Sequence, residues 1–301
     1  MKSLQLADYT LKRHDPALLG QPQPYLALLQ AVAQRQASLV AQWMNLGFIH
    51  GVMNTDNMAL SGQTIDYGPC AFMEAYDPQA VFSSIDHGGR YAYGQQPPIA
   101  RWNLARLAQA LLPLLDDDGD SAVAQATAVI DNFPDWYQAH WQEGQSAKLG
   151  LLSSSNDEGL DRALASDWLQ LLHAEKVDFT RAWRFLGHAA AGDEAPLRAL
   201  FLDREAPSAW LQRWHERCLQ DGAGRGAERA LHMHAVNPWV IPRNHRVEEA
   251  LNAASDDDDW DPFQRLLAAL QRPYDDIAEQ AFFAEPAPPA VTAAYQTFCG
   301  T

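Results

Sequence analysis

Cysteine, positive charge and long apolar runs are all scarce in this chain. The three cysteines among 301 residues, Cys70, Cys218 and Cys299, are too few and too widely spaced for a disulfide framework. A reducing cytoplasm is the expected setting. Only 22 Lys and Arg stand against 38 Asp and Glu, a formal charge of -16. Such a field repels phosphate backbones and anionic lipid surfaces, so neither nucleic acid nor a membrane is an expected partner. Every apolar run is broken long before the ~20 positions of a membrane span. The opening residues, MKSLQLADYTLKRHDP, carry neither a continuous apolar stretch nor a small-residue cleavage site. What is there, 47% hydrophobic and 20% charged residues, fits a soluble globular chain long enough for one large domain or two smaller ones.

Helical spacing dominates. From Pro24 to Gly47 the apolar residues Leu26, Leu28, Leu29, Val32, Leu39, Val40, Trp43 and Met44 recur at steps of three and four, which predicts a long amphipathic helix ended at Gly47. Ile99–Leu115, Ala122–Ile130, Gly159–Leu172, Thr180–His188, Pro196–Leu202 and Ser208–Gln220 show the same period. Asp116–Asp120, Asp221–Gly226 and Ser255–Asp261 read as exposed connections, and Glu285–Pro289 as a stiff segment before the tail. Residues 48–70 lose the helical period and carry Gly51, Gly62, Gly68 and Pro69, so a loop flanked by short strands is expected there. The predicted fold is mostly α, with a short β-hairpin carrying Asn57 and Asp66.

That loop holds the strongest chemical signal. His50-Gly51-Val52-Met53-Asn54-Thr55-Asp56-Asn57 sets a carboxylate beside an amide oxygen, and Asp66-Tyr67-Gly68 adds a second carboxylate across a short turn. Mg²⁺ takes hard oxygen ligands, keeps several waters, and is commonly held by one or two protein groups together with the phosphates of a nucleotide. Protein kinases use a catalytic-loop Asn and the Asp of a D-F-G turn for this purpose, with a nearby Asp receiving the acceptor proton. On that pattern Asn57 and Asp66 are the metal ligands and Asp56 is the base. Asp and Asn also cap ordinary turns; the two halves in order, at loop spacing, are what favour chemistry.

HGVMNTDNM with TIDYGP, then DHGGRYAYGQQPPIARWNLARLAQ (86–109) and AVNPWVIPRNHRVEEAL (235–251), resemble the selenoprotein O (SelO) family over essentially the whole chain. The resemblance implies a protein-kinase-like, pseudokinase lobe that transfers AMP from ATP to Ser, Thr or Tyr hydroxyls of proteins. It implies Asp56 as the proton acceptor, Asn57 and Asp66 as ligands of Mg²⁺ or Mn²⁺, and nucleotide contact by Asp66. It divides the chain into a kinase-like C-lobe core at 1–115 and a helical extension of the same lobe at 116–301. The N-terminal lobe that carries the Gly-rich loop, the phosphate-pairing Lys and its Glu is expected to be absent, making this the family's C-terminal portion and inactive alone. The family also implies a redox-active thiol three residues from the C-terminus, here Cys299. Its partner position falls on Phe82, and Cys70 is the alternative.

Competing readings are a non-catalytic scaffold that binds a partner protein through the face the missing lobe would cover, and a small-molecule phosphotransferase. Aminoglycoside-kinase-like enzymes, to which His50-Gly51 is similar, carry the base directly after the Gly, where this chain has Val52. His232 and His234 fall on opposite sides of a helix, a poor metal pair. DGAGRG at 221–226 lacks the Lys-Ser/Thr of a phosphate loop. The acidic runs fail the EF-hand pattern. His87 and Arg90 belong to a structural loop. Trp43, Trp102, Trp168, Trp183 and Trp210 are expected in the core.

Overall fold

The computed structural model describes residues 2–151, 158–221 and 226–298. Helices α1 (Lys2–His14) and α2 (Pro24–Leu46) lead into a two-residue strand β1 (Phe48–Ile49), which pairs antiparallel with β2 (Ala71–Phe72). Then follow α3 (Gln96–Leu115), α4 (Gly119–Lys148), α5 (Glu158–Ala174), α6 (Phe179–Ala190), α7 (Ala195–Arg198) and α8 (Ser208–Asp221). Helices α9 (Ala227–Val236), α10 (Asn244–Asp256), α11 (Asp261–Leu270), α12 (Ala281–Ala284) and α13 (Pro289–Ala294) complete the described chain. No helix among the described residues is long and apolar enough to cross a membrane.

The centre is a layer of α2, α3 and α4. The apolar stripe of α2 is buried from Leu28 to Met44, and Gly47 ends the helix in the left-handed conformation at φ 73°, its N–H returning to the Trp43 carbonyl. Asp118 caps α4 by accepting the Asp120 N–H, so the 116–120 run begins a helix as well as connecting two. That helix runs past Pro134 to Lys148, well beyond the expected end at Ile130. Pro134 is solvent-exposed, and packing of the helix along α2 and α3 outweighs the one backbone bond a proline removes. Close approach is allowed at Gly144, where a Cβ would meet the Asn45 amide of α2.

Trp168, Trp183, Trp210 and Trp214 fill the interior beyond α4, with Trp168 and Trp210 ring centroids 4.3 Å apart. The indole N–H groups of Trp210 and Trp214 donate to the Leu164 and Leu149 carbonyls. Trp102 departs from expectation: it lies on the outer face of α3 and is 42% exposed. A second, smaller core gathers Val240, Ala250, Leu266, Ala269, Phe283 and Ala284 from α10, α11, α12 and the segment before them. Arg243, fully buried, ties this core to the rest: it meets Glu74 just after β2 and Asp178 at the N-cap of α6, each at 2.6 Å.

His188 of α6 and His234 of α9 stand with ring centroids 5.2 Å apart beside Arg184, whose guanidinium donates to the carbonyls of His234, Asn237 and Tyr274. Burial, then the charges of Arg184 and His188, push His234 down to about 4, against the opposing pull of Asp276. The unfolded chain takes up this proton near pH 6.5 and the folded chain only near 4. Stability contributed here is therefore complete above about pH 6.5 and is lost as pH falls towards 4. His234→Gln is expected to flatten the fall in melting temperature between pH 7 and 5. Parallel profiles for variant and parent would refute the assignment.

Candidate active site

The site is an excursion between β1 and β2, and α3 holds its base. The Gln96 side chain lies along β1 like a third strand, accepting the His50 N–H at 3.0 Å and donating to the Phe48 carbonyl at 2.9 Å. One helical face later, Asn103 donates to the Met53 carbonyl at 2.9 Å. His50 is fully buried and links the two arms of the excursion. Its Nε2 faces the Ile65 carbonyl at 2.9 Å, and Nδ1 faces the Val52 N–H at 3.4 Å. A carbonyl can only accept, so Nε2 carries the proton; burial lowers the pKa, which suits the neutral imidazole this bridge requires. Gly51 follows at φ 85° with its α-carbon against the Pro69 carbonyl, a position open only to glycine.

Thr55–Asn57 forms one short 3₁₀ turn. The Asn57 amide donates to the Val52 carbonyl at 3.1 Å and to Asp66 Oδ2 at 2.8 Å. Both partners accept, so the amide nitrogen of Asn57, and not its Oδ1, faces Asp66 here. Asp66 itself sits in the left-handed region at φ 56°, a conformation Asp tolerates better than most residues. Asp56 is solvent-exposed, and among the described residues no donor is bonded to its carboxylate. Asn57 and Asp66 are thus bonded to one another, with Asp56 next to Asn57 in the chain, although both Asn57 and Asp66 lie on the excursion and not on the expected hairpin strands. The strands are only two residues long because Gly47 and the turn at Gly51 bound β1 closely.

A half-turn of the Asn57 amide would set its Oδ1 beside the Asp66 carboxylate, two hard oxygens of the kind that fit Mg²⁺ or Mn²⁺ completed by other oxygen ligands. No group of three His, Cys, Asp or Glu suited to a metal occurs among the described residues. A cation held at Asn57 and Asp66 would take its remaining ligands from water or a bound anion.

The family model described as "Protein adenylyltransferase SelO" matches residues 2–271. The chain belongs to the SelO family. Among SelO relatives, proteins described as "Protein nucleotidyltransferase YdiU" include one from Chromobacterium violaceum, 53% identical over 298 residues, covering 99% of this chain and 62% of the relative. Another, from Cereibacter sphaeroides, is 54% identical over 297 residues, covering 99% and 59%. One from Rhizobium johnstonii is 50% identical over 298 residues, covering 98% and 59%. The chain thus spans about three fifths of the length of the curated relatives it matches.

Several residues at the SelO site were not singled out by sequence. Tyr91 donates its hydroxyl to the Asn54 side chain at 2.7 Å, fixing the loop that precedes Asp56. Arg90, placed in a structural loop, does lie in one: Asp86 accepts the backbone N–H groups of Arg90 and Tyr91. Its guanidinium, however, stacks 4.9 Å from the Trp102 ring centroid, with Arg106 at 5.1 Å. The spacing of Trp102 and Arg106, four apart on one helix, was a readable signal.

Cys299, Gly222 and Gly224 lie outside the described residues. The tail before Cys299 is held at Thr297, whose hydroxyl donates to the Pro69 carbonyl at 2.7 Å, next to Cys70. Phe82 packs on Tyr295 with ring centroids 6.0 Å apart, and burial pushes the Cys70 thiol up to about 11.

Proposed function

We propose that this chain is the kinase-like catalytic and metal-holding lobe of a protein adenylyltransferase, with a core at 1–115 and a helical extension at 116–301. The supporting observation is the 2.8 Å Asn57–Asp66 pair beside the unencumbered Asp56, in a chain that belongs to SelO. In the reaction, a Ser, Thr or Tyr hydroxyl oxygen attacks the α-phosphorus of ATP. The bond from that phosphorus to the α,β-bridging oxygen breaks, and pyrophosphate departs. Asp56 receives the hydroxyl proton, which requires it within about 2.6–3.2 Å of the acceptor oxygen. Asn57 and Asp66 would hold a Mg²⁺ or Mn²⁺ ion, which would supply electrostatic stabilisation of the phosphate oxygens. Asp66 would also contact the nucleotide. Cys299 is the redox candidate of this reading.

Cationic groups that grip the triphosphate come, on this proposal, from outside these 301 residues. The chain alone is then expected to transfer AMP at background level. A chimera in which the remaining length of the C. violaceum relative precedes these residues is expected to label acceptor proteins from α-labelled ATP. Asp56→Ala and Asp66→Ala are each expected to cut that labelling by about 10²–10⁴-fold. Robust labelling by the chain alone would refute the need for an outside grip; label arriving from γ-labelled ATP would replace adenylyl by phosphoryl transfer.

A further inference from the structure

In a chain of charge -16, a positive island stands beside the Asp56 loop. Trp102, 42% exposed on α3, carries the Arg90 guanidinium at 4.9 Å and the Arg106 guanidinium at 5.1 Å from its ring centroid. Arg90 also lies 5.7 Å from the Tyr91 ring, and Tyr91 is bonded to Asn54 two residues before Asp56. Both arginines are exposed, and among the described residues neither is paired with a carboxylate. The carboxylate in the same loop, Asp86, is occupied by the backbone N–H groups of Arg90 and Tyr91.

Stacking on an indole holds a guanidinium by the ring quadrupole and restricts its rotamers, while leaving its N–H fork free to bind oxygen anions bidentately. Arg106 and Thr55 line one cavity of about 290 Å³ with a mainly apolar wall that includes Met58, Leu60 and Leu107 alongside the polar Gln36 and Asn103. Neither Asn57 nor Asp66 lines it, so the cavity lies apart from that pair, while Thr55 brings it next to Asp56 in the chain.

We infer that the Arg90–Trp102–Arg106 ladder recognises acidic residues flanking the acceptor hydroxyl of a protein substrate, so that SelO of this type selects acceptors in Asp/Glu-rich segments. The cavity beside it receives an apolar side chain of the same segment. The inference rests on the adenylyltransferase reading for the word acceptor, but not for the binding. The net charge of -16 opposes approach of such a segment to the chain as a whole, which makes a local contact at the island sensitive to salt.

The test is fluorescence anisotropy with the 301-residue chain and labelled peptides of about a dozen residues, a central Tyr flanked by Glu, by Lys or by Ser, without nucleotide. The Glu peptide is expected to bind, weakening at least about tenfold in Arg90→Ala/Arg106→Ala and in Trp102→Ala, and remaining unchanged in Arg272→Ala, an exposed arginine elsewhere. Circular dichroism verifies folding of each variant. Equal binding of the three peptides, or an unaltered double variant, would overturn the inference. So would a double variant that loses Mg·ATP while keeping the peptide, since the arginines would then be phosphate contacts. A peptide that binds through the ladder yet accepts no AMP in the chimera would sustain the ladder and sink the catalytic reading.

Discussion

Arg243→Met is expected to lower the unfolding free energy by about 3–5 kcal/mol, the range for removing one partner of a buried ion pair. Arg243 reaches Glu74 Oε2 and Asp178 Oδ2 at 2.6 Å, Asp178 Oδ1 at 3.2 Å and the Ala284 carbonyl at 3.1 Å. Methionine fills much of the volume and satisfies none of these acceptors, leaving two carboxylates facing each other in the interior. Burial already pushes Glu74 up to about 7, against the downward pull of Arg243 and with Asp178 adding to the rise.

Without the guanidinium, Glu74 is driven further towards its protonated form. The folded variant then holds a proton at pH 8 that the unfolded chain releases near pH 4.5. Its deficit is accordingly greatest at pH 8 and shrinks towards pH 5. Glu74→Gln in the Arg243→Met background is expected to recover part of the loss. Urea unfolding followed by circular dichroism gives the comparison; a deficit under about 1 kcal/mol at pH 8 would contradict the account.

The second large effect is expected at Gly51→Ala. A non-glycine residue at φ 85° costs about 1–2 kcal/mol in backbone strain. The new methyl would also press against the Pro69 carbonyl oxygen and stand 3.0 Å from its carbon. Overpacking of this kind adds about 1–3 kcal/mol. Pro69 has little room to yield, because its carbonyl also accepts the Thr297 hydroxyl at 2.7 Å. The strain is relieved by parting the arm that carries Asn57 from the arm that carries Asp66, now 2.8 Å apart. A loss of about 2–5 kcal/mol in stability and of Mn²⁺ binding, read by electron paramagnetic resonance, should appear together. Stability lost with Mn²⁺ affinity intact would mean that the two arms do not move as described.

Local chemistry made part of this molecule legible. The α2 stripe and its Gly47 stop, the loss of period at 48–70 and the order Asp56, Asn57, Asp66 all express constraints acting within a few residues. Where distant parts of the chain decide, local reading misled or was silent. Pro134 marks a break by propensity, yet packing against α2 and α3 carries α4 through it. Trp102 fits a helical period but faces outward, because its neighbours in space are two arginines and not an apolar partner. The Glu74–Asp178–Arg243 cluster joins three positions whose separations along the chain, 169 and 65 residues from Arg243, leave no local trace.

The Thr297 contact also gives this site a history in time. Its N–H donates to the Phe82 carbonyl, its carbonyl accepts the Ser84 N–H, and its hydroxyl reaches back 228 positions to Pro69. A ribosome delivers Asp56, Asn57 and Asp66 long before residue 297, and contacts of such separation form late because they close large loops. During synthesis the excursion therefore waits without its clasp, its two arms joined only by the short strand pair and the His50 bridge. Completion of the site is postponed until Thr297 has emerged, long after Asp56, Asn57 and Asp66.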